Sequence, residues 1–525
     1  MRTYFIISLF PFFFYVFNKS KKFMHMLQQN WYNDGNRYLR WLKDNFSKSF
    51  INIEFLFLLF YFIKGDYAIP FFILFYIIMF MYLSNKTSKE QTKKPLVITA
   101  RIKRLYVTMS IIYLVCLIPI YKYYDIELIN GIYLNLGMLG FLNPIIIYLA
   151  NIINKPIEKL VFEHYKRLAS SKLKSMKDLK KIGITGSYGK TSTKYALNEI
   201  LNVKFNSFAT EKSFNTMNGL MISINNKLDK FSEIFIAEMG AFKRGEIKEK
   251  CNFIKPKYGI LTTIGTAHLE SFGSQENVQK AKFELIDSLP DDGIAVLNMD
   301  DEYQRNYKTK SDCKKVWVST KNDKADVYAK NIKLTNKGTE FTCVFDKKKT
   351  HKFETRLLGN ANVYNILESI AMAYSLGMSL DEIATGVKRI KNVEHRLEMK
   401  KYGNIHLIDD AYNSNPVGAK MALDVLKMMD GKKIIVTPGM IELGDKQYEL
   451  NNVFGKQIAE VCDEVILVGV EQTKPIYDGL KEANYDLDHI YIINDVKEAF
   501  PLMKQLSDKN TYALLENDLP DIFNE

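Results

Sequence analysis

The sequence predicts an N-terminal α-helical transmembrane region followed by two α/β domains, and three observations predict it. Apolar runs cluster in the first 155 residues. A strand-like run enters a glycine loop and then a helix after residue 181, and strand-like and helix-like runs alternate near the C-terminus. At roughly 100–200 residues per domain, the 525 residues accommodate about three domains. The formal net charge is +13, from 72 Lys+Arg and 59 Asp+Glu, which taken whole suggests a nucleic-acid or membrane-surface partner. Residues 1–181, however, hold 26 Lys+Arg against 10 Asp+Glu, while residues 182–525 hold 46 against 49. The surplus belongs to the apolar part, so no nucleic-acid partner is expected. Composition also excludes a disordered chain and a disulfide-stapled mini-domain. The five cysteines are scattered with no CxxC pair, which predicts free thiols and no zinc knuckle.

The apolar runs lie at about Tyr4–Phe17, Ile51–Ile63, Ala68–Leu83, Val107–Ile120 and Leu128–Ile153. A helix needs about 20 residues to cross a bilayer, and only the last run is comfortably that long. Runs of about 10–14 residues also suit buried or interfacial helices. Repeated aromatic-rich blocks with polar linkers are rare in a soluble core, so about five spans are expected over residues 1–155. Segments 18–50, 84–106 and 154–181 carry 7, 7 and 9 Lys+Arg, and the two short connections carry only Lys64 and Lys122. The positive-inside rule then places those segments, and everything after Ile153, on the cytoplasmic side of a multi-pass cell-membrane protein. The first run has only Arg2 before it, and Asn18–Lys22 stands where a cleavage site needs small residues. It reads as a retained anchor rather than a signal peptide. Pro11, Pro70, Pro119 and Pro144 are tolerable inside membrane helices. Segment 22–50, with Trp31, Tyr32, Tyr38 and Trp41 among basic residues, suits either the headgroups or packing on the soluble part. Residues 156–179 follow as a basic cytoplasmic linker.

At residue 182 the pattern changes. Ile182-Gly183-Ile184 reads as a strand, Thr185-Gly186-Ser187-Tyr188-Gly189-Lys190-Thr191-Ser192-Thr193 as a loop, and Lys194–Leu201 as a helix. That order cradles a polyphosphate. Glycines let backbone N–H groups approach the oxygens, the helix N-terminus adds its dipole, Lys190 neutralises charge, and the Thr191 hydroxyl can ligate magnesium. The longer G-x-x-x-x-G-K-T form would need a glycine at Ile184, so this is a shorter G-x-x-G-K-T variant.

The loop resembles the ATP loop of the Mur ligases, which couple ATP hydrolysis to amide-bond formation in peptidoglycan precursors. The resemblance covers most of residues 182–455. Ser213–Gly219 is similar to the family's S-x-N-x-x-x-G segment, and Ile236–Ala241 with Gly245-Glu246-Ile247 to its E-x-G-A…G-E-I run. Thr263–Glu270, Phe272–Ser274 and Ala281–Glu284 continue it. Gly359–Asn365 resembles G-x-H-N-x-x-N with Ala361 in place of His, and His395–Glu398 resembles G-R-x-E with His395 in place of Gly. Asp409–Pro416 resembles D-D-x-Y-N-A-N-P, which with Glu442-Leu443-Gly444 marks the branch adding D-Ala-D-Ala.

The resemblance implies a central ATP-binding domain over residues 180–393 and a Rossmann-like C-terminal domain over 394–525. It implies ATP and Mg2+, a cell-wall carboxylate donor, and an amino acid or dipeptide acceptor. Gly186, Ser187, Tyr188, Gly189, Lys190, Thr191 and Ser192 would hold the phosphates. Thr191, Glu238 and His268 would hold magnesium, with Lys282 as a further ligand if carbamoylated. Asn362 and Asn365 would lie beside the base, unless they cap a helix start. Arg396 would clamp a phosphate on domain closure, and Asp410 would work near the ribose or magnesium. Lys190, Glu238, His268, Lys282 and Arg396 are the expected catalytic set. Asn413 and Asn415 suit the site or a turn before Pro416.

Two departures bear on the substrates. Apolar runs stand where soluble Mur ligases carry their UDP-sugar domain, and the acidic Leu515–Asp521 run stands where the branch has a basic K-G-S-R-G run. The expected activity is a membrane-anchored ATP-dependent amide ligase. Its alternative is a related ligase acting on another envelope polymer, as poly-γ-glutamate ligases do, or on a lipid-linked precursor. A transporter of the ABC type would need an LSGGQ-like signature and an apolar strand ending in Asp-Glu, which the sequence lacks; retention of the expected catalytic set argues against an inactive scaffold.

Overall fold

The structure is a computed structural model that describes residues 2–30, 32, 36–50, 53–63, 67–89, 95–122, 129–265, 269–335, 338–412, 414–441 and 443–517. The chain divides into two compact units, Met1–His164 and Tyr165–Asn524.

The first unit is helical. Helices run over Arg2–Gln29, Asn36–Asp44, Phe46–Phe50, Ala68–Lys89, Ala100–Lys122, Ile129–Phe141 and Asn143–Ser175, the last continuing past the unit, with a 3-10 helix at Ile53–Tyr61. Its core is aromatic: Phe12 meets Tyr76 edge-on at 5.1 Å, and the Phe72 and Tyr133 rings lie 4.3 Å apart. Phe10, Phe14, Ile78, Met81, Leu114 and Ile118 stay exposed.

The expectation of five spans needs correcting. Among the described residues, two helices are long and apolar enough to cross a membrane, within Ala68–Asn85 and Ala100–Pro119, and up to three if a bent pair counts as one span. The Ile51–Ile63 run yields only a nine-residue 3-10 helix, about 18 Å long at 2.0 Å per residue. The longest run forms the bent pair, a broken span or a re-entrant loop. Its two helices meet at Leu142 with a 65° bend. Pro144 explains the break, because it cannot donate to the preceding turn but suits the first turn of a new helix. Asn143 is held there by hydrogen bonds to Ser20 Oγ at 3.0 Å and Tyr113 Oη at 3.2 Å.

The break frees carbonyls at the end of the Ile129–Phe141 helix, and the buried Lys19 ammonium donates to Gly140 O at 3.1 Å. The same ammonium pairs with the fully buried Glu54 carboxylate. The charge that caps the helix end is therefore neutralised inside the bundle.

The second unit contains two sheets. The first has nine strands: β1 (Lys180–Thr185), β2 (Ser207–Ala209), β3 (Ile234–Glu238), β4 (Tyr258–Leu261), β5 (Ile294–Asn298), β6 (Lys314–Ser319), β7 (Val327–Thr335), β8 (Gly338–Phe345) and β9 (Lys349–Thr355). Their order is β2-β3-β1-β4-β5-β6-β7-β8-β9, parallel as far as β7 and antiparallel beyond. The parallel strands are near-continuous apolar runs because both faces are covered, as the burial of Ile182, Ile236 and Ile260 on one face and of Phe235, Ala237 and Leu261 on the other shows. The Lys190–Leu201 and Asn360–Ser375 helices pack on this sheet and share its core.

The second sheet comprises β10 (Glu398–Tyr402), β11 (Ile405–Asp410), β12 (Lys432–Thr437), β13 (Glu464–Val468), β14 (Ile490–Ile493) and β15 (Thr511–Glu516). Its order is β10-β11-β15-β12-β13-β14, with only β10 antiparallel. Ligands of open parallel sheets bind beyond the carboxyl ends of the strands, where β1 ends at Thr185, β3 at Glu238, β11 at Asp410 and β15 at Glu516. All five cysteines are free.

Replacing Lys19 by Met removes the buried cation beside the Glu54 carboxylate. The expected cost is about 3–5 kcal/mol, read as a fall in the thermal midpoint of the detergent-solubilised chain. The double replacement K19M/E54L recovers most of it.

Candidate functional site

The phosphate loop is built by close packing as much as by sequence. At φ +154°, a Cβ on Gly186 would sit 1.9 Å from Thr262 Oγ1; at φ +81°, one on Gly189 would sit 2.4 Å from Asn365 Oδ1. Both positions demand glycine. The loop is stapled to the segment after β4: Ser187 N donates to Thr263 O at 2.8 Å, Ser187 Oγ to Gly265 O at 3.2 Å, and Thr262 Oγ1 to Tyr188 O at 2.5 Å.

The helix that follows begins at Lys190, four residues earlier than the sequence suggests, with Gly189 as an N-cap that offers no side-chain bond. The first-turn N–H groups of Lys190, Thr191 and Ser192 therefore meet no capping side chain and suit phosphate oxygens. Lys190 folds back over its own loop, donating to Gly186 O at 2.9 Å and Ser187 O at 3.0 Å. Burial lowers its ammonium to about 8, with Glu238 opposing the shift and Arg396 adding to it.

Glu238 is the hub. Its carboxylate receives Thr191 Oγ1 at 3.1 Å on both oxygens, Asn215 Nδ2 at 3.1 Å and Lys194 Nζ at 3.0 Å, all buried or nearly so. Thr191 and Glu238 thus present adjoining hydroxyl and carboxylate oxygens, the donor chemistry that magnesium takes. Lys194 escaped the sequence reading. The signal was its spacing, three residues after Thr191 and so on the same helix face.

Lys282 lies on the Gln275–Phe283 helix, 2% exposed, with its Nζ 5.5 Å from the Phe272 ring centre and no hydrogen bond or ion pair among the described residues. Burial, then Lys190 and Lys250, hold its ammonium well below the ordinary lysine range. His268, with Thr266 and Ala267, lies outside the described residues, as do Asn413, Glu442 and the Asp518–Asp521 part of the acidic run.

Asn362 and Asn365 sit in the first turns of the Asn360–Ser375 helix and do not cap it, since Gly359 is the N-cap. Asn365 Oδ1 accepts Thr193 Oγ1 at 3.2 Å, and Asn362 Nδ2 donates to Leu358 O at 2.8 Å. Asn415, by contrast, caps the Pro416–Lys427 helix by accepting Gly418 N at 2.8 Å. Glu368 is a further buried carboxyl that the sequence did not single out; it accepts Thr193 Oγ1 at 3.2 Å, and burial raises it well above the carboxylate range.

The second sheet contributes the opposite wall. Arg396 lies with its guanidinium 4.3 Å from the Tyr412 ring centre, and its charge reaches both Lys190 and Asp410. Asp410 Oδ1 accepts Leu397 N at 3.1 Å, and burial pushes its carboxyl up to about 6 against the pull of Arg396. Together these groups form a phosphate cradle, an oxygen pair for a divalent ion, and a cation facing the cradle from the second sheet. That combination suits phosphoryl transfer to an oxygen acceptor.

The Mur ligase middle domain matches residues 184–373, and the Mur ligase, glutamate ligase domain matches residues 395–515. The UDP-N-acetylmuramoyl-tripeptide--D-alanyl-D-alanine ligase of Rickettsia prowazekii (strain Madrid E) is 30% identical over 339 residues, 61% of this chain and 71% of that protein. The enzyme of the same name from Bacillus subtilis (strain 168) is 28% identical over 340 residues, 64% of this chain and 72% of that protein. Among solved structures, MurF from Acinetobacter baumannii superposes with a TM-score of 0.61 at 25% identity, covering 68% of this chain and 77% of that one.

Replacing Gly189 by Ala drives a methyl into Asn365 and is expected to weaken binding of a fluorescent ATP analogue by at least about 100-fold, the cost of roughly 3 kcal/mol of backbone and steric strain. Lys194→Met leaves Glu238 without its buried cation and is expected to lower the thermal midpoint as well as magnesium-dependent nucleotide affinity.

Proposed function

This chain belongs to the Mur ligase family and is an ATP-dependent ligase, and we propose that it joins the carboxylate of a peptidoglycan precursor to the amine of D-Ala-D-Ala or a similar amino acid unit. The observation that carries the proposal is the Lys190–Thr191–Glu238 cradle faced by Arg396. The relatives' printed names supply the donor and acceptor type.

The reaction has two steps. A donor carboxylate oxygen attacks the γ-phosphorus, the bond to the β-phosphate oxygen breaks with its electron pair, and ADP and an acyl phosphate result. The neutral acceptor amine then adds to the acyl carbon, inorganic phosphate leaves with the C–O electron pair, and the nitrogen gives up one proton as the amide forms. Both steps gather negative charge on oxygens. Lys190 and the first-turn N–H groups hold the phosphate end. Arg396 approaches from the second sheet and can clamp the transferring phosphoryl in bidentate fashion. Thr191, Glu238 and His268 would hold magnesium, which when bound would neutralise negative charge on the terminal phosphates. Asn362 and Asn365 line the base side, and Asp410 the ribose side. Lys282, a buried amine whose charged form burial disfavours, would as a carbamate add a further carboxylate-like ligand.

We also propose that the helical unit anchors the ligase in the cell membrane with the catalytic domains cytoplasmic. The two spanning-length helices, the exposed apolar side chains and the basic linkers support this. That unit favours a second reading of the donor, a lipid-linked envelope precursor in place of a soluble UDP-linked one.

Purified chain is expected to release ADP only when a muramoyl-tripeptide donor and an amine acceptor are both present, and ATP hydrolysis indifferent to both would refute the ligase. Lys190→Ala is expected to reduce turnover by at least about 1,000-fold, a loss of roughly 4 kcal/mol of transition-state stabilisation, with an unchanged circular dichroism spectrum. Peptide mass spectrometry of native protein is expected to find one carbon dioxide on Lys282.

A further inference from the structure

The Lys190–Leu201 and Asn360–Ser375 helices share a buried polar contact whose hydrogens can be counted. Thr193 Oγ1, on the first, lies 3.2 Å from Asn365 Oδ1 and 3.2 Å from Glu368 Oε2, both on the second. Drawn with Glu368 ionised, the hydroxyl donates to both oxygens, which its one hydrogen cannot do. One of the two contacts must draw its hydrogen from the other side. Asn365 Oδ1 lies against Gly189, where a Cβ would sit 2.4 Å from it. A backbone Cα–H can meet an oxygen there, whereas an amide turned over would set its NH2 group against the same carbon. Asn365 Nδ2 is directed instead to Asn362 Oδ1 at 3.4 Å. Asn365 Oδ1 is therefore the acceptor and takes the Thr193 hydrogen. The hydrogen between Thr193 and Glu368 is the carboxyl's own.

The surroundings of Glu368 agree. Its side chain is fully buried, and its other oxygen, Oε1, has no hydrogen-bond partner among the described residues. A carboxylate there would be an uncompensated buried charge, while a carboxylic acid leaves only a carbonyl oxygen unpaired, a smaller cost. The neighbouring titratable groups bring no counter-charge. Asp301 is a second acid that adds to the effect of burial, and the Tyr364 hydroxyl is spent on Asp300 Oδ2 at 2.9 Å.

We propose that Glu368 is a carboxylic acid that donates through Thr193 to Asn365, a positioning residue that fixes which edge of the Asn365 amide faces the nucleotide. Glu368 Oε2–H donates to Thr193 Oγ1, and Thr193 Oγ1–H donates to Asn365 Oδ1. The amide oxygen is then tied to the helix behind the phosphate loop, and Nδ2 keeps a hydrogen for an acceptor atom of the nucleotide. An ionised Glu368 would claim the Thr193 hydrogen and release the amide. The proposal rests on the reading that Asn365 lines the base side of the ATP site, and adds the residue that orients it.

Three full-length chains in detergent test it: wild type, Glu368→Gln and Glu368→Met. Glutamine keeps an N–H donor for Thr193 and cannot ionise; methionine fills the space without a donor. A fluorescent ATP analogue is expected to bind E368Q as it binds wild type, and E368M at least about tenfold more weakly. Wild-type affinity in E368M overturns the inference, and so does an E368Q as weak as E368M, which would make the carboxylate the active form. Infrared difference spectra of wild type minus E368Q at neutral pH are expected to show the C=O band of a protonated carboxyl, and its absence also overturns the inference. If E368M does not fold, E368Q and the infrared band decide. Tripolyphosphate, which has no base, is expected to bind all three chains alike. An E368M loss as large for tripolyphosphate as for the ATP analogue overturns the base-side reading itself, an outcome distinct from failure of the relay.

Discussion

Glu238 holds a negative charge in the interior of the second unit, and the arrangement of the site follows from satisfying it. A buried carboxylate is tolerable only when paired and hydrogen-bonded. Here its partners come from two places: Thr191 and Lys194 from the helix after the loop, and Asn215 from the segment before the Met217–Asn226 helix. Thr191 and Lys194 are three residues apart, so meeting one carboxylate fixes the rotation of the helix about its axis. With that rotation fixed, the first-turn N–H groups point where Gly186 and Gly189 have opened the backbone. Thr210 Oγ1 accepting Glu238 N at 3.3 Å ties the end of β3 to the same cluster.

Arg396 depends on a different device. It lies between His395 and Leu397, at φ +58° and +47°, conformations that side chains other than glycine adopt only when held. The two adjacent aspartates at the end of β11 do the holding. Asp409 Oδ2 is 2.8 Å from His395 Nδ1 and accepts Lys400 Nζ at 2.6 Å, while Asp410 Oδ1 accepts Leu397 N. Where the resemblance would put a glycine, His395 pays the conformational cost and recovers part of it through Asp409. The Asp409-Asp410 pair therefore sets the direction of Arg396 as well as lining the site.

How much of this could be read beforehand follows the distance between partners in sequence. The phosphate loop is contiguous, so Thr185–Thr193 displayed strand, glycines, lysine and hydroxyl in one stretch. The apolar stretches at Ile434–Val436 and Val465–Val468 were equally visible, because a strand buried on both faces carries a run of apolar residues. Glu368 was invisible: a glutamate within a helix is ordinarily solvated, and only the fold brings it beneath Thr193, far away in sequence. The span count failed for a related reason. Apolar length is local, but whether Pro144 kinks a span or starts a new helix depends on Asn143 finding Ser20 and Tyr113 on other helices.

Net charge hides the polarity of the site in the same way. Residues 182–525 nearly balance, with 46 Lys+Arg against 49 Asp+Glu. Yet Lys190, Lys194, Lys250 and Lys282 are all withdrawn from solvent on the side of the first sheet, and burial pulls each below its ordinary range. Asp410 and Glu516 stand at the carboxyl ends of two neighbouring strands of the second sheet, and burial pushes both the other way. Burial drives every one of these shifts, while Glu238 opposes it at Lys190 and Lys194 and Arg396 opposes it at Asp410 and Glu516. Near balance over the whole segment is therefore compatible with groups whose charged forms are each held against the cost of burial by one named partner.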